Sequence, residues 1–264
     1  MRSARRRNLI EKKKNAVKTA KFAGLIFKVL IPAFLILVIF AVFKLGTRYW
    51  NGQDKFVIGY RLANGDVAVS ILDPKLEELT TLAIPGDTQV EVARNLGELR
   101  IKNIWQLGVN EKIGGSLLAE TITQNFLFPV FLWSDADAKC LTEANILCLS
   151  RYIFFPKSTN ISFGDRLAAS LFALRITGTN VSWLDLGKNQ FLVKQKLNDG
   201  VAGYLLTGPV SPRLTMYFSD NSFADQNLRV VIVDSTGSPG VAEKVGQIIE
   251  VMGGKVVSVD KKGN

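Results

Sequence analysis

The sequence predicts an α/β protein in three parts: an N-terminal transmembrane helix, a mixed α/β sandwich and a small C-terminal βαβ module. Three observations indicate this class. A long apolar run occupies residues 22–43. Strand-like alternation and helix-like periodicity succeed each other from residue 56 onward. The chain closes with a strand-like run, a glycine-containing turn, an amphipathic stretch and a second short apolar run. Strands and helices mixed in one region pack as an α/β sandwich.

The N-terminal residues predict a single membrane span. Residues 1–28 hold ten basic residues and one acid, whereas residues 29–264 hold 23 basic and 22 acidic residues. The apolar run Phe22–Phe43 has the roughly 20 residues that a helix needs to cross the hydrocarbon core. We therefore expect a basic cytoplasmic tail over 1–21, a transmembrane helix over 22–46, and the rest of the chain outside the cytoplasm.

This topology also predicts partners and redox state. The basic tail is expected to touch anionic membrane lipid. The nearly neutral remainder gives no indication of nucleic-acid binding. Cys140 and Cys148 are expected outside the cytoplasm, where disulfides form. Their spacing alone leaves two possibilities open, a bridge across a bend or two buried thiols.

The absence of histidine narrows the possible chemistry. It excludes Ser-His-Asp and Cys-His nucleophiles, histidine-ligated zinc and imidazole acid–base catalysis. The Gly-Lys-Ser/Thr end of a Walker A loop is also missing. Catalysis, if present, would rest on carboxylates, arginines and a metal such as Mg²⁺.

Three strands are predicted behind a short polar linker. Phe56–Leu62 and Val67–Leu72 alternate and are joined by an Asn64-Gly65 turn. A third run of β-favouring residues occupies 78–85 and ends at Pro85-Gly86.

Two helices and several further strands follow. Residues 114–127 predict a half-buried helix because Leu118, Ile122 and Phe126 recur at helical spacing. A strand is expected over 128–133, and short strands are expected at "SWLDL" and "QFLVKQKL". Residues 161–175 predict a helix that opens with a Ser162/Asp165 cap. Its apolar face is expected to hold Leu167, Leu171 and Leu174.

The C-terminal segment predicts one βαβ unit. Leu228–Val233 is the first strand, Gly253-Gly254 stops the helix, and "KVVSV" is the returning parallel strand. We interpret the turn containing Gly237 and Gly240 as a structural connection; an anion held at the helix N-terminus is the alternative. The expected apolar stripe of the helix comprises Val241, Val245, Ile248, Ile249 and Met252.

The order of motifs resembles that of a known family. "NGDVAVSILDPKLEELTTLAIPGDTQVEV", "IKNIWQLG" and "GGSLLAETITQNFLFPVFLW" occur in the order found in the extracytoplasmic LytR–CpsA–Psr domain. "VVIVDSTGSPGVAEKVGQIIEVMGGKVVSV" resembles the first half of the LytR C-terminal domain, also called the cell envelope-related transcriptional attenuator module. The resemblance predicts an α/β domain over 47–226 and a partial C-terminal module over 227–264.

This resemblance implies a membrane-anchored cell-envelope protein. Family members transfer glycopolymers from a polyprenyl-pyrophosphate carrier to peptidoglycan, with arginines on the pyrophosphate and an aspartate placing Mg²⁺. We expect this chain to bind wall glycopolymer or its polyprenyl-pyrophosphate-linked precursor, as a degenerate member without catalysis. An active glycopolymer phosphotransferase and an envelope scaffold or regulatory anchor are the two alternatives.

The resemblance also implies site residues. Asp87 and Asp66 stand at the catalytic and Mg²⁺-binding positions, although both also suit ordinary turns. Gly86 replaces the arginine that the family uses to bind phosphate. The residues expected to face pyrophosphate are Arg61, Arg94, Arg100 and Lys102. Trp105 and Trp133 are expected in the core.

Overall fold

The computed structural model describes residues 28, 30–38, 40–41, 49–176, 178–208, 211–220, 226, 228–235 and 240–261. The chain forms two compact units, residues 1–48 and 49–264. In the first unit, the described residues between 28 and 41 are helical. Among the residues that the structure describes, no helix combines the length and the apolar character needed to span a bilayer. The predicted span over 22–46 lies partly outside the described residues and stays a prediction.

The second unit alternates strands and helices. Its described strands are β1 (Phe56–Arg61), β2 (Val67–Asp73), β3 (Glu78–Ile84), β4 (Thr88–Glu91), β5 (Glu98–Arg100), β6 (Leu132–Ser134), β7 (Val181–Asp185), β8 (Leu192–Lys196), β9 (Ala202–Leu206), β10 (Arg229–Asp234) and β11 (Lys255–Lys261). Its described α-helices are α1 (Ile101–Asn110), α2 (Ser116–Phe126), α3 (Cys140–Glu143), α4 (Ile146–Phe154), α5 (Phe163–Arg175), α6 (Pro212–Thr215) and α7 (Val241–Val251).

The central sheet has five strands in the order β6-β1-β2-β3-β7. β1, β2 and β3 form an antiparallel meander, and β6 and β7 pair in parallel with its two sides. Gly65 supplies the left-handed φ of 92° that the first hairpin turn requires. Every residue of β2 is buried, which indicates that both faces of the sheet are covered.

Helices cover both faces. Val67, Val69 and Ile71 point into one core, which α1 and α2 complete with buried apolar residues. Ala68 and Leu72 point into the other core, which α3, α4 and α5 complete. The result is an α/β sandwich with the sheet in the middle, and the predicted mixed α/β class is confirmed.

A line of hydroxyl groups crosses the buried interior of this sheet. Tyr60 Oη lies 3.0 Å from Ser70 Oγ, and Ser70 Oγ lies 2.7 Å from Thr81 Oγ1. Thr142 Oγ1 continues the line 3.3 Å from Thr81. Burial raises the pKa of Tyr60, so its hydroxyl stays protonated. The hydrogen bonds satisfy polar groups that would otherwise be unpaired in an apolar layer.

A second sheet has the order β5-β4-β9-β8, with β4 and β9 parallel and the outer pairs antiparallel. The C-terminal β10 and β11 form a separate parallel pair crossed by α7. Gly240, at the start of α7, has the left-handed φ of 81° that a tight strand-to-helix turn needs. Gly237 lies outside the described residues.

The buried helix faces differ from the expected ones in α5 and α7. Leu171 and Leu174 are 50% and 44% exposed, whereas Ala169 and Ala173 are buried. Val241 and Val245 are 40% and 41% exposed, whereas the buried residues of α7 are Ala242 and Gly246. Small residues on the packed side let a helix approach its sheet closely, so the larger apolar residues beside them stay outside.

The strand expected over 128–133 is shortened to β6. The main chain of Val130 bonds instead to the Thr123 hydroxyl of α2, with both Val130 N and Val130 O 3.2 Å away. Helices α3 and α4 were not anticipated from the sequence. Cys140 and Cys148 form a disulfide that links these two helices, which answers the question that their spacing left open.

Candidate functional site

Two loops meet at one edge of the central sheet, the β1–β2 hairpin and the loop that follows β3. β1 ends, β2 begins and β3 ends there, because Arg61 pairs with Val67 and Val67 pairs with Ile84. The loops that extend from this edge carry Asp66, before β2, and Asp87, after β3. The fold therefore brings together two sequence segments that the family resemblance singled out.

Asp66 fixes the turn that carries Asp87. Its Oδ1 accepts a hydrogen bond of 2.7 Å from the amide of Gly86, and its Oδ2 accepts one of 2.7 Å from Asn64 Nδ2. Gly86 O in turn accepts from the amide of Lys102 at 3.1 Å. Both carboxylate oxygens of Asp66 are thus engaged by amide groups of the surrounding turns.

Gly86 is in a position where no larger residue fits the backbone. A Cβ atom there would lie 2.4 Å from Gly65 O and 2.8 Å from Gly65 C. Both are main-chain atoms of the β1–β2 hairpin, so a small side-chain movement cannot relieve the contact. An arginine at this point would require a different loop conformation.

Asp87 receives two cations on one oxygen. Its Oδ1 lies 2.8 Å from Arg100 Nη1 and 2.6 Å from Lys102 Nζ. The hydrogen bond from Lys102, and next that from Arg100, hold the pKa of Asp87 below its ordinary value. Asp87 is therefore a stable carboxylate at neutral pH.

Arg100 is the centre of this cluster. It donates to Asp199 through Nε at 3.0 Å and through Nη2 at 2.7 Å. Nη1 also reaches Ala202 O and Nη2 reaches Val201 O, each at 3.3 Å. These contacts, with that to Asp87, match the five N–H groups of a guanidinium. The side chain is only 12% exposed, so Arg100 is held as a structural cross-link.

The other two predicted arginines lie elsewhere. Arg94 pairs through two hydrogen bonds with Glu120, at 2.7 Å and 2.6 Å, and stays outside the Asp87 cluster. Arg61 is exposed, and its Cζ lies 5.4 Å from the ring centroid of Trp105. Trp105 itself is buried, edge-on to Trp133 at 5.8 Å, as expected of core residues. The structure thus collects Asp66, Asp87, Arg100 and Lys102, and their assignment to catalysis or ligand binding stays a prediction.

A cleft of about 410 Å³ opens beside Arg100. We call it the Arg100 cleft; its lining residues are Gln89, Glu98, Leu99, Arg100, Asn103, Leu197, Asn198 and Asp199. Sequence reasoning missed Asp199 and Glu98. The Asn198-Asp199-Gly200 turn signal locates a hairpin between β8 and β9, but it carries no information about which arginine the carboxylate meets.

The charge of this region is close to zero. The region holds two cations, Arg100 and Lys102, and three carboxylates: Asp87 and Asp199, which pair with them, and Glu98, which lines the cleft. Their formal sum is −1, so the cluster in this arrangement presents no surplus positive charge to a pyrophosphate.

A second groove, of about 770 Å³, lies beside the loops that follow β7 and β9. Its walls include Phe191, Ser211, Arg213 and Tyr217. None of the predicted site residues lines it.

The site residues do not fit a ready Mg²⁺ site. Within the described part of the chain no group of three or more acidic or cysteine side chains is placed to hold a metal ion. Asp87 already faces two cations, and both oxygens of Asp66 are hydrogen-bonded. Mg²⁺ normally takes one or two free carboxylates together with substrate phosphates. No step through a metal follows from this geometry.

Comparison with known proteins gives partial structural similarity. No protein-family model matches the chain, and no curated protein matches it. Bacillus subtilis TagT is similar in structure, with 13% identity over 61% of this chain and 88% of that chain and a TM-score of 0.43. The LytR-CPS2A-psr family protein YwtF (TagT) with bound octaprenyl pyrophosphate lipid is 14% identical over 61% of this chain and 87% of that chain, with a TM-score of 0.38.

A transcriptional regulator of Enterococcus faecalis, EF0465, is similar over more of the chain. The match covers 77% of this chain and 89% of that chain, with 8% identity and a TM-score of 0.41. At these values the likeness assigns neither a function nor a site to this chain.

Proposed function

We propose that this chain is a membrane-anchored, extracytoplasmic cell-envelope protein that binds wall glycopolymer, free or on its polyprenyl-pyrophosphate carrier, without transferring it. The order of sequence motifs supports the ligand class. The basic leader and the apolar run support the location, with the N-terminus in the cytoplasm. The disulfide between Cys140 and Cys148 is typical of a domain outside the cytoplasm.

The non-catalytic part of the proposal rests on the hydrogen bonds that Arg100 already makes. Phosphoryl transfer relies on cations that are free to hold the phosphate oxygens. Here Asp87 and Asp199 occupy the Arg100 guanidinium, and Lys102 also faces Asp87. A pyrophosphate would have to break these charge-assisted hydrogen bonds before it gained any of its own.

Gly86 supports the same conclusion independently. It replaces the phosphate-binding arginine expected from the family resemblance, and main-chain atoms of Gly65 fill the space beside it. The loop is therefore packed so closely that it has no room for an arginine side chain at this position.

The Arg100 cleft has the composition of a site for a hydroxyl-rich ligand. The amide groups of Asn103 and Asn198 line it, beside the Gln89–Glu98 and Arg100–Asp199 pairs, whose carboxylates can accept further hydrogen bonds. Amides donate and accept, and carboxylates accept, so together they match the alternating donors and acceptors of sugar hydroxyls. We propose that a glycan portion of the polymer binds here.

The test is a binding and turnover assay on the full chain in mild detergent. A soluble wall glycopolymer fraction and a short-chain polyprenyl pyrophosphate with Mg²⁺ serve as probes. We expect saturable glycopolymer binding, no phosphate release, and at least tenfold weaker binding for Asn103→Ala. Gln106→Ala is the matched control, because Gln106 is an exposed residue of the same helix and bonds to Asn110 instead.

Mg²⁺-dependent phosphate release would establish the enzyme alternative and overturn the non-catalytic proposal. Absence of saturable binding to either probe would leave the scaffold alternative.

A further inference from the structure

Four exposed aromatic rings lie around the start of α5. Phe154 contacts Phe155 and Phe163, with ring centroids 6.4 Å and 5.7 Å apart. We call this group the aromatic end; its exposed members are Tyr49 (87%), Phe131 (65%), Phe154 (59%) and Phe155 (75%). Rings of this size are rarely grouped on a surface that faces only water.

Hydrogen bonds hold two of these residues, Tyr49 and Phe131, near the start of α5. The amides of Tyr49 and Trp50 donate to Asp165 Oδ1 at 2.9 Å and 2.7 Å. Asn160, just before the helix, donates through Nδ2 to Phe131 O at 2.9 Å. Asp165 is buried and is also held by the capping residue Ser162. The backbone of Tyr49 and Phe131 is therefore held in place beside the start of α5.

In the sequence, Tyr49 of the aromatic end follows closely after the apolar run. Tyr49 is the first described residue of the second unit and follows Phe43, the last residue of that run, by six positions. The six residue-to-residue steps, through five intervening residues, span at most about 20 Å. If the apolar run lies in a bilayer, the connection keeps Tyr49 close to the bilayer surface.

The charge around the aromatic end also suits a bilayer. Residues 144–164 contain two basic residues and no acidic one; Arg151 is paired with Asp137, and Lys157 is exposed. Aromatic rings are enriched at membrane interfaces, and basic side chains beside them favour anionic headgroups.

We propose that the aromatic end seats the second unit on the outer surface of an anionic phospholipid bilayer. This inference rests on the membrane anchoring in the proposed function and adds a second contact to it. Phe154 and Phe155 enter the interfacial layer, and Lys157 faces the headgroups.

The test uses the full chain reconstituted in vesicles of phosphatidylcholine and phosphatidylglycerol, with or without brominated acyl chains. Phe155→Trp adds one tryptophan to the four native ones. We expect bromolipid to quench the added emission at least twofold. Val193→Trp is the matched control, because Val193 is 41% exposed on β8 of the second sheet. Its added emission is expected to be unchanged, and Phe131→Trp repeats the test at a second ring.

Equal quenching of Phe155→Trp and Val193→Trp in folded, vesicle-bound protein would overturn the inference and leave the anchoring intact. A chain that does not float with vesicles would instead refute the anchoring. The emission of the added tryptophan could instead change with the number of protein molecules per vesicle and not with bromolipid. In that case a second copy of the chain covers the aromatic end, and the inference is overturned.

Discussion

Arg100 holds both carboxylate oxygens of Asp199, with Nη2 3.0 Å from Oδ1 and 2.7 Å from Oδ2. The two residues are 99 positions apart in the chain. Arg100 leads into α1, whereas Asp199 lies in the turn between β8 and β9. Arg100 also ends β5, so this pairing joins two parts of the second sheet, and the Arg100–Asp87 bond connects them to the loop that follows β3.

Loss of this link is expected to weaken the fold. Arg100→Ala removes the hydrogen bonds to Asp199 and leaves Asp87 with Lys102 alone, so it should lower the urea midpoint of unfolding. Urea unfolding followed by tryptophan fluorescence measures the change. Arg94→Ala is the control, because the Arg94–Glu120 pair is exposed at 48% and 39% and exposed ion pairs contribute little to stability. Equal effects of the two substitutions would contradict the structural role of Arg100.

The lowered pKa of Asp87 predicts a pH dependence. A carboxylate with a depressed folded pKa stabilises the protein above its unfolded pKa, about 3.9, and loses that contribution as pH falls through the folded pKa. Because the side chain is 46% exposed, we expect Asp87→Asn to cost about 1 kcal/mol or less at pH 7. Parallel unfolding curves from pH 7 to pH 2 should show the difference shrinking below about pH 4. A difference that persists at pH 2 would count against the ion pair as its cause.

Gly86 is expected to tolerate no side chain. Gly86→Ala places a methyl group against Gly65 main-chain atoms at 2.4 Å and 2.8 Å, and should cost about 1–3 kcal/mol. Gly178→Ala is the comparison, since a Cβ there meets no atom within 4 Å. The midpoint of thermal unfolding distinguishes the two. If Gly86→Ala were as stable as Gly178→Ala, the close approach of the two loops would be wrong.

The disulfide predicts sensitivity to reducing agents. Cys140 and Cys148 close a short loop with a separation of 8 residues, and the chain-entropy relation gives about 2–3 kcal/mol for a loop of this size. The Cys140→Ser/Cys148→Ser double variant should unfold at lower urea concentration than the oxidised protein. Reductant should shift the parent protein toward the variant and leave the variant unchanged. The contribution would be contradicted if a thiol assay showed that the parent disulfide had been reduced while its urea unfolding curve stayed unchanged.

Local sequence pattern was sufficient for much of the fold. Alternation and the Asn64-Gly65 turn located β1 and β2, and the spacing of Leu118, Ile122 and Phe126 located α2. Periodicity was not sufficient to choose the buried side of α5, because Ala169 and Ala173 pack inward while Leu171 stays half exposed. The depth at which a helix packs depends on its tertiary neighbours, which an isolated pattern does not contain.

The candidate site could be predicted only in part. Motif order located Asp66, Asp87 and Lys102, which lie in loops or the first helical turn at one sheet edge. It could not distinguish Arg94 from Arg100, because the choice depends on Glu120 in one case and Asp199 in the other. Those partners are distant in sequence, and ion pairing across such separations leaves no local signal.

The hydroxyl line from Tyr60 through Ser70 and Thr81 to Thr142 limits which substitutions the central sheet can accept. Replacing Ser70 alone with valine would remove the Ser70 partner of Tyr60 and leave Thr81 with only its 3.3 Å contact to Thr142, whereas replacing all four residues with apolar ones would leave no hydroxyl unpaired. Shifting β2 by one residue along its neighbours would also separate Ser70 from its hydrogen-bond partners on β1 and β3. The hydrogen bonds among Tyr60, Ser70 and Thr81 therefore favour the observed register of β1, β2 and β3.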